Sequence, residues 1–258
     1  MFLFSKVSKV EYVELNIVQN TELRWTILVT LNYAFLDFFY NWLWHFDKLS
    51  LRNNIIVIAE DKQAFHELQN ITRDNIRVWL SRKSDSNSKA ALNFNSYQFL
   101  QLMRERPGHI LAALQESTYV LFNDVDTVWK SNPLPYLHLN DSVESYDILA
   151  QMDGGGFCAG FLAFRKTNRT LEFIKEWGTR LRLKRGKNDQ MIFNELASEG
   201  FAATRIKGLD SAYFPDGQKY FQKYSSEQRR NVVVVHNNFI LSHDSKLQRF
   251  EKFGLWNL

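Results

Sequence analysis

The residues with the clearest chemical potential are Asp124 and Asp126, which come shortly after the apolar run YVLF at residues 119–122. Two carboxylates separated by one residue at the end of a buried segment repel each other, and burying either without a partner costs several kcal/mol. The spacing therefore predicts a bound cation. Oxygen ligands favour Mg²⁺ or Mn²⁺, ions that neutralise diphosphate groups. The plainer interpretation is a turn aspartate beside a solvated one.

Short apolar segments alternate with stretches of helical spacing in the first half of the chain. Runs rich in Val, Ile and aromatic residues predict strands at residues 25–31, 54–61, 76–80 and 118–124, whereas residues 33–46 and 61–68 predict helices. This alternation is typical of an α/β protein with a mainly parallel central sheet flanked by helices. Ligands bind at the carboxyl ends of such strands, which is where the two aspartates lie.

Composition and charge exclude several classes of protein. The 258 residues are 45% hydrophobic, which is enough for a full core. The net charge is +4, but Lys and Arg are interspersed with Asp and Glu, so we expect no nucleic-acid partner. The apolar stretch at the N-terminus is too short for a membrane span, and we expect none in this chain. The single cysteine, Cys158, excludes an intramolecular disulfide.

One class that places D-x-D after a buried strand is the haloacid-dehalogenase-like phosphohydrolases. The segment DVDTV fits their D-x-D-x-T or D-x-D-x-V motif, in which the first aspartate is a covalent nucleophile. That motif normally opens the domain, whereas several predicted strands precede it here. The later acidic pair, Asp210 and Asp216, also has the wrong spacing for the Mg²⁺ site of that class. This function stays the alternative.

The aspartates belong to an ordered series of segments: LVTLNY (28–33), VIAED (57–61), DVD (124–126), GGGFCAGF (154–161), NDQ (188–190) and VVVVHNN (232–238). Over residues 26–256, the chain resembles the nucleotide-diphospho-sugar transferase family that includes plant rhamnogalacturonan α-xylosyltransferases and extensin arabinosyltransferases. The resemblance implies a single glycosyltransferase domain of the GT-A type, with a Rossmann-like sheet, at residues 25–258. Residues 1–24 would then form an N-terminal extension.

The resemblance also implies an activity, which is metal-dependent transfer of a sugar from a nucleotide-diphosphate donor, expected to be a UDP-sugar. The acceptor would be a glycan or glycoprotein, the anomeric configuration would be retained, and the compartment would be the Golgi lumen. A third interpretation is a GT-A scaffold that binds sugar nucleotides without turnover.

Individual residues take roles from the same resemblance. A Mn²⁺ or Mg²⁺ ion would be bound by Asp124, Asp126 and His236. Contacts with the nucleoside of the donor would come from Thr30, Asn32 and Asp61, and contacts with its diphosphate or sugar would come from Arg106, Asp124, Gly160 and Lys246. In the glycine-rich segment that includes Gly160, the missing side chains would let the backbone approach the sugar closely. Catalytic groups facing the sugar would be Asn188, Asp189 and Gln190.

Most of these roles have a structural alternative that the sequence leaves open. Asp61 and Asn188 are good helix caps, and Thr30 and Asn32 suit a strand end followed by a helix. Arg106 and Lys246 would be solvated charges, and a lone histidine after a strand, such as His236, is often structural.

Overall fold

The computed structural model describes residues 25–81, 97–139, 145–184 and 186–258. The N-terminal extension at residues 1–24 lies outside the described residues.

A seven-stranded sheet forms the centre of the described part of the chain. Its strands are β1 (Trp25–Leu31), β2 (Asn54–Ala59), β3 (Ile76–Leu80), β4 (Tyr119–Asn123), β6 (Ile148–Asp153), β7 (Gly156–Arg165) and β8 (Ile206–Gly208). They lie in the order β3-β2-β1-β4-β7-β6-β8. Parallel pairs join β1 to β2 and β4, β2 to β3, and β6 to β8, whereas β7 runs antiparallel to β4 and β6. The predicted, mainly parallel sheet is therefore confirmed.

A second, two-stranded sheet pairs β5 (Thr127–Trp129) with β9 (Val234–His236). These strands run antiparallel, and the register places Thr127 opposite His236. This small sheet therefore brings the C-terminal part of the chain to the segment that follows β4.

Helices cover both faces of the central sheet. They are α1 (Leu36–Lys48), α2 (Lys62–Leu68), α3 (Tyr97–Met103), α4 (Arg106–Glu116), α5 (Asn168–Leu183), α6 (Asp189–Ser198), α7 (Ser226–Arg230) and α8 (His243–Lys252). Among the described residues, no helix is long and apolar enough to cross a bilayer.

The core consists of two apolar layers, one on each face of the sheet. Ile27 and Val29 of β1 belong to the layer that contains Trp42 of α1, and Leu28 belongs to the layer that contains Trp177 of α5. Successive side chains of a strand point to opposite faces, so a strand buried on both faces is apolar throughout. That is why β1 reads as the continuous apolar run WTILVTL.

Several predicted boundaries differ from the structure. The helix predicted from residue 33 begins as a 3₁₀ turn at Tyr33–Phe35 and continues as α1. The second strand ends at Ala59, because Asp61 caps α2 instead of extending β2. The fourth strand covers Tyr119–Asn123, so Asp124 lies just past its end.

Candidate metal centre and active site

Asp124, Asp126 and His236 converge at the carboxyl edge of the sheet. Asp124 follows β4, Asp126 precedes β5, and His236 ends β9, so the Thr127–His236 register brings the histidine beside the acids. The backbone N–H of Asn237 also donates to the carbonyl of Asp126 at 2.9 Å. One ligand atom from each of the three side chains lies within 4.8 Å of the others.

The orientation of the carboxylate oxygens fits a metal ion. Arg106 Nη2 donates to Asp124 Oδ1 at 3.0 Å, and Lys246 Nζ pairs with Asp126 Oδ2. The remaining oxygens, Asp124 Oδ2 and Asp126 Oδ1, lie 3.9 and 3.5 Å from His236 Nε2. Two carboxylate oxygens and one imidazole nitrogen thus face a common point, and this donor set suits Mn²⁺ or Mg²⁺.

The pKa values of Asp124 and Asp126 reflect their burial and the charges around them. Burial raises the pKa of Asp124, and Asp126 adds to this effect while Arg106 opposes it. Burial acts in the same direction on Asp126, but Lys246 and His236 outweigh it and hold the pKa of Asp126 far below its usual range. A divalent cation between the acids would relieve their repulsion.

Asn123, which sequence reasoning did not identify, holds the turn that carries both acids. Its side chain is completely buried, and its Oδ1 accepts from Thr127 Oγ1 at 2.9 Å and from Trp129 Nε1 at 3.0 Å. Its Nδ2 donates to the carbonyl of Asp124 at 2.9 Å. A polar residue at the end of an otherwise apolar strand was the available sign of this role.

Arg106 is a buried link between two parts of the site and not a solvated charge. It begins α4, and its guanidinium donates to Asp124, to Asp189 and to the carbonyl of Ala159 at 3.1 Å. Burial alone would lower the pKa of Arg106, but Asp124 and Asp189 raise it above its ordinary value. The guanidinium thus already donates to three groups of the protein, and its contact with the donor stays a prediction.

The segment Asn188–Gln190 combines a helix cap with groups that face the site. Asn188 caps α6 by accepting from the N–H of Met191 at 2.9 Å. Asp189 is buried against Arg106, and Gln190 joins the N–H of Ala159 to Asp153 Oδ2, each at 3.1 Å. Asn188 is therefore a helix cap, and Asp189 is also linked to Asp124 through Arg106.

The missing side chain of Gly160 leaves the space that Asp124 and His236 occupy. A Cβ at this position would lie 2.6 Å from His236 Cε1 and would overlap Asp124 Oδ2. Its carbonyl also accepts from the N–H of Asp124 at 2.8 Å. The close approach of these two side chains explains the glycine, and its predicted contact with a sugar stays a prediction.

The three residues assigned to the nucleoside lie at the carboxyl ends of β1 and β2. Asp61 is a helix cap, since it accepts from the N–H of Ala64 and from the N–H of Tyr33, both at 2.8 Å. Asn32 is buried with its carbonyl bonded to the N–H of Phe35, and Thr30 lies beside Ile58 in the sheet. Their contact with a nucleoside stays a prediction.

The C-terminal helix contributes Lys246 and an arginine that sequence reasoning did not place in the site. Lys246 Nζ contacts Asp126 and donates to the carbonyl of Asn237 at 2.9 Å. Arg249 donates to Asn237 Oδ1 and to the carbonyl of Asn238, both at 2.6 Å. Burial lowers the pKa of Arg249 to about 10. Helix α8 thus fixes the segment that follows His236.

The second acidic pair, which the phosphohydrolase alternative needs, is used for local turns. Asp210 accepts from the N–H of Ala212 at 2.9 Å, and Asp216 accepts from the N–H of Lys219 at 2.7 Å. These contacts give no support to a metal site built on Asp210 and Asp216.

Comparison with known proteins identifies the family. The mainly parallel sheet flanked by helices is a fold of the GT-A type, which solved glycosyltransferases share. The galactosyltransferase LgtC, solved with donor and acceptor sugar analogues, superposes with a TM-score of 0.52 at 12% identity over 90% of this chain and 96% of its own. The family model for nucleotide-diphospho-sugar transferases matches residues 50–250, and the chain belongs to this family.

Two relatives are similar along most of this chain. A UDP-D-xylose:L-fucose alpha-1,3-D-xylosyltransferase of Arabidopsis thaliana is 29% identical over 89% of this chain and 68% of its own length. A UDP-galactose:fucoside alpha-3-galactosyltransferase of Dictyostelium discoideum is 28% identical over 96% of this chain and 44% of its own length. The chain thus spans only part of these relatives. Their shared chemistry and the family together support an enzyme that transfers a glycosyl group from a nucleotide sugar.

Proposed function

We propose that this enzyme transfers a sugar from a UDP-sugar to a fucoside with a bound divalent metal ion and with retention of anomeric configuration. The observation that carries the metal requirement is the convergence of Asp124 Oδ2, Asp126 Oδ1 and His236 Nε2 on one point. When bound there, Mn²⁺ or Mg²⁺ would neutralise the diphosphate as it departs.

The protein's own cations support the same function. Lys246 reaches Asp126 from α8, and rotation of its flexible side chain would present the ammonium group to a diphosphate bound at the metal. Arg106 holds Asp124 and Asp189 at once, so it fixes the distance between the metal side of the site and the sugar side. Lys246 would thus stabilise negative charge on the leaving group, and Arg106 would position Asp124 and Asp189.

Asp189 and Gln190 are the groups that we assign to the anomeric centre. Glycosyl transfer passes through an oxocarbenium-like state, which a nearby carboxylate or amide oxygen stabilises. Asp189 is fixed by Arg106, and the carbonyl of Asp189 accepts from Trp177 Nε1 at 2.8 Å. Retention is supported by the alpha products that both relatives' names state, given an α-linked donor.

An exposed apolar segment beside the site supports the fucoside acceptor. Phe239 and Leu241 are 50% and 67% exposed, and Phe239 has a φ of +55°, a strained value for a bulky residue. The ring of Phe239 reaches Gly154, where an added Cβ would lie 3.6 Å from its Cζ, and the neighbouring Asp153 contacts Gln190. Because fucose is a 6-deoxyhexose, it carries a methyl group that such side chains would contact.

The test of the reaction uses UDP-xylose and UDP-galactose as donors and methyl α-L-fucoside as the acceptor. We expect transfer with Mn²⁺ and none after chelation, and proton NMR of the first product should show an α linkage. A β-linked product contradicts retention. Donor binding without either hydrolysis or transfer would favour the binding scaffold instead, and a phosphoryl adduct on Asp124 would favour the phosphohydrolase.

The test of the acceptor class compares methyl α-L-fucoside with methyl α-L-galactoside, which differs only by a 6-hydroxyl group. We expect a preference for the fucoside of about 10- to 200-fold in kcat/KM. Phe239→Ala and Leu241→Ala should reduce that preference while hydrolysis of the donor stays unchanged. An unchanged preference in both variants contradicts contact between this segment and the methyl group.

A further inference from the structure

We infer that Gln151 is a positioning residue that fixes the imidazole of His236 in the tautomer able to bind a metal ion. The inference rests on the proposed metal-dependent function. Gln151 lies in β6, is completely buried, and belongs to neither the predicted ligands nor the predicted catalytic groups.

The amide of Gln151 lies between the histidine and a loop of backbone carbonyls. Its Oε1 is 2.7 Å from His236 Nδ1, and its Nε2 donates to the carbonyl of Pro215 at 2.7 Å and approaches the carbonyl of Phe214 at 3.5 Å. Carbonyl oxygens only accept hydrogen bonds, so the NH₂ group of Gln151 has to face the loop. The amide oxygen therefore faces His236.

This orientation decides where the imidazole carries its hydrogen. The amide oxygen only accepts, so Nδ1 of His236 has to donate, and in the neutral ring Nε2 is left with its lone pair. That lone pair faces Asp126 Oδ1 at 3.5 Å and Asp124 Oδ2 at 3.9 Å. With no hydrogen on Nε2, three electron-pair donors surround one point, and a metal ion would satisfy them together.

The opposite tautomer would remove the site. A hydrogen on Nε2 would bond to the carboxylates, and the three residues would then form a closed hydrogen-bonded cluster. Cys158 would tolerate that arrangement, because its Sγ lies 3.7 Å from Nδ1 of His236 and a thiol donates weakly as well as accepts. Gln151 is thus the partner of Nδ1 that selects between the two tautomers.

The loop that holds Gln151 is itself fixed against the segment after β9. Asp216 accepts from the N–H of Lys219 at 2.7 Å, and the N–H of Gly217 donates to Asn238 Oδ1 at 2.5 Å. A Cβ at Gly217 would lie 2.9 Å from the carbonyl of His236, so only glycine allows this approach. The loop and the histidine therefore keep a constant separation, and Gln151 spans it.

The test reads the tautomer directly. Long-range ¹H–¹⁵N correlation spectra of the full chain, with the His236 signals assigned from their loss in His236→Ala, report which ring nitrogen carries hydrogen. We expect hydrogen on Nδ1 of wild type, both metal-free at alkaline pH and with the diamagnetic ion Mg²⁺ plus UDP. Hydrogen on Nε2 in the metal-free neutral ring would overturn the inference, whether or not the protein binds metal.

Variants of Gln151 separate positioning from simple packing. Gln151→Met keeps the side chain's length but offers no hydrogen bond, and we expect a shift toward the Nε2–H tautomer and a 10- to 100-fold loss of Mn²⁺ affinity in calorimetry, about the usual effect of removing such a partner. Gln151→Glu still accepts from Nδ1, so it should keep the tautomer and most of the affinity. Equal losses in both variants would overturn the inference.

A matched control measures the general cost of losing a buried amide. Asn41 of α1 is also completely buried, donates to the carbonyl of Leu255 at 3.1 Å and accepts from the N–H of Asn257 at 2.9 Å. Asn41→Leu should lower stability without changing Mn²⁺ affinity. If Gln151→Met does not fold, the wild-type spectrum and Gln151→Glu still decide. Wild type that binds neither Mn²⁺ nor UDP would contradict the proposed function and leave the tautomer result intact.

Discussion

Two charged clusters at opposite edges of the sheet differ in how completely their carboxylates are paired. One is Asp147 with Arg165 and Arg169, and the other is Asp124 and Asp126 with His236. Asp147, just before β6 at the amino edge, is completely buried, and both of its oxygens are saturated. They accept from Thr167 Oγ1 and Arg169 Nε at 2.9 Å, and from the backbone N–H of Arg205 at 2.9 Å. Burial opposes ionisation, but these partners hold the pKa of Asp147 below its usual range.

The cluster at the carboxyl edge is paired on one side only. Asp124 and Asp126 each give one oxygen to a protein cation and turn the other toward His236. The Asp124 side chain is also 28% exposed, so a ligand can reach it. Asp147, which stabilises the fold, thus has both oxygens paired within the protein, whereas Asp124 and Asp126 each keep one oxygen for a ligand that binds after folding.

The largest effect should follow loss of a ligand oxygen at the carboxyl edge. Asp126→Asn replaces a charged ligand with a weaker neutral one, and we expect donor turnover to fall at least 10³-fold, or about 4 kcal/mol of transition-state stabilisation. Stability should fall as well, because the change leaves Lys246 and His236 without their anionic partner, and relief of the repulsion with Asp124 offsets only part of that loss. Kinetics with a UDP-sugar and thermal unfolding of the same sample measure both.

The control is the exposed Asp210, whose change to Asn should alter neither quantity. An Asp126→Asn protein that keeps Mn²⁺-dependent turnover would remove the distinction between the two clusters.

Asp147→Asn should lower stability without lowering turnover. The variant leaves Arg169 and Arg165 without their anionic partner, and because Arg169 is 39% exposed we expect a loss of about 1 to 2 kcal/mol, less than for a fully buried pair. Since the folded-state pKa of Asp147 is depressed, its contribution to stability is present above the unfolded pKa and is lost as the pH falls through the folded pKa. Denaturant unfolding at neutral and acidic pH should therefore show the variant deficit shrinking in acid.

Turnover per folded molecule should stay at the wild-type level in Asp147→Asn. A fall in kcat that exceeds the unfolded fraction would mean that the amino-edge cluster also serves the reaction.

The sequence predicted the elements better than it predicted the contacts between them. The strands at residues 25–31 and 76–80 were right to the residue. The first is buried along almost its whole length and is therefore mostly apolar, whereas the second is a partly exposed edge strand that Ile76, Val78 and Trp79 made recognisable. The pairing of β5 with β9 was not predicted from the chain itself. Each has three residues, and only the tertiary fold sets their register. His236 was assigned through the family resemblance, and β5–β9 pairing supplies the physical reason for its position.

The residues that were not predicted from the sequence are those whose hydrogen bonds fix the position of other residues of the site. Asn123 ends β4 and Gln151 lies within β6, each with a buried polar side chain, and neither carries an obvious reactive group. Their value lies in hydrogen bonds to partners far along the chain, such as Gln151 with His236. A one-dimensional pattern shows that a buried amide needs partners, but it does not name them.

Gly160→Ala tests whether the carboxyl-edge cluster depends on space as well as charge. The added methyl group would meet His236 Cε1 and Asp124 Oδ2, so one of the two has to move. A displacement of this size should reduce Mn²⁺-dependent donor turnover by about 10²-fold. Gly108→Ala is the matched control, because a Cβ there meets no described atom within 4 Å. Equal activity of the two variants would contradict the crowding argument.

The smallest effect concerns His243, whose charge pair lies outside both clusters and tests whether partial pairing always signals binding. His243 begins α8, and its Nε2 lies 2.9 Å from Asp37 Oδ2 in α1, between the rings of Phe35 and Phe38. Burial alone would lower the pKa of His243, but hydrogen bonds with Asp37 and Asp244 raise it above 6.5. The protonated form is therefore favoured in the folded protein. The stabilisation is fully present below the unfolded pKa and is lost as the pH rises through the folded pKa. Because Asp37 and Asp244 are solvent-exposed, this stabilisation should amount to no more than about 1 kcal/mol.

Urea unfolding of wild type and His243→Gln across this pH range measures the difference in stability, which should disappear at alkaline pH. Donor affinity should be unaffected throughout, and a pH-independent difference in stability would mean that the ring packs against its aromatic neighbours without contributing its charge.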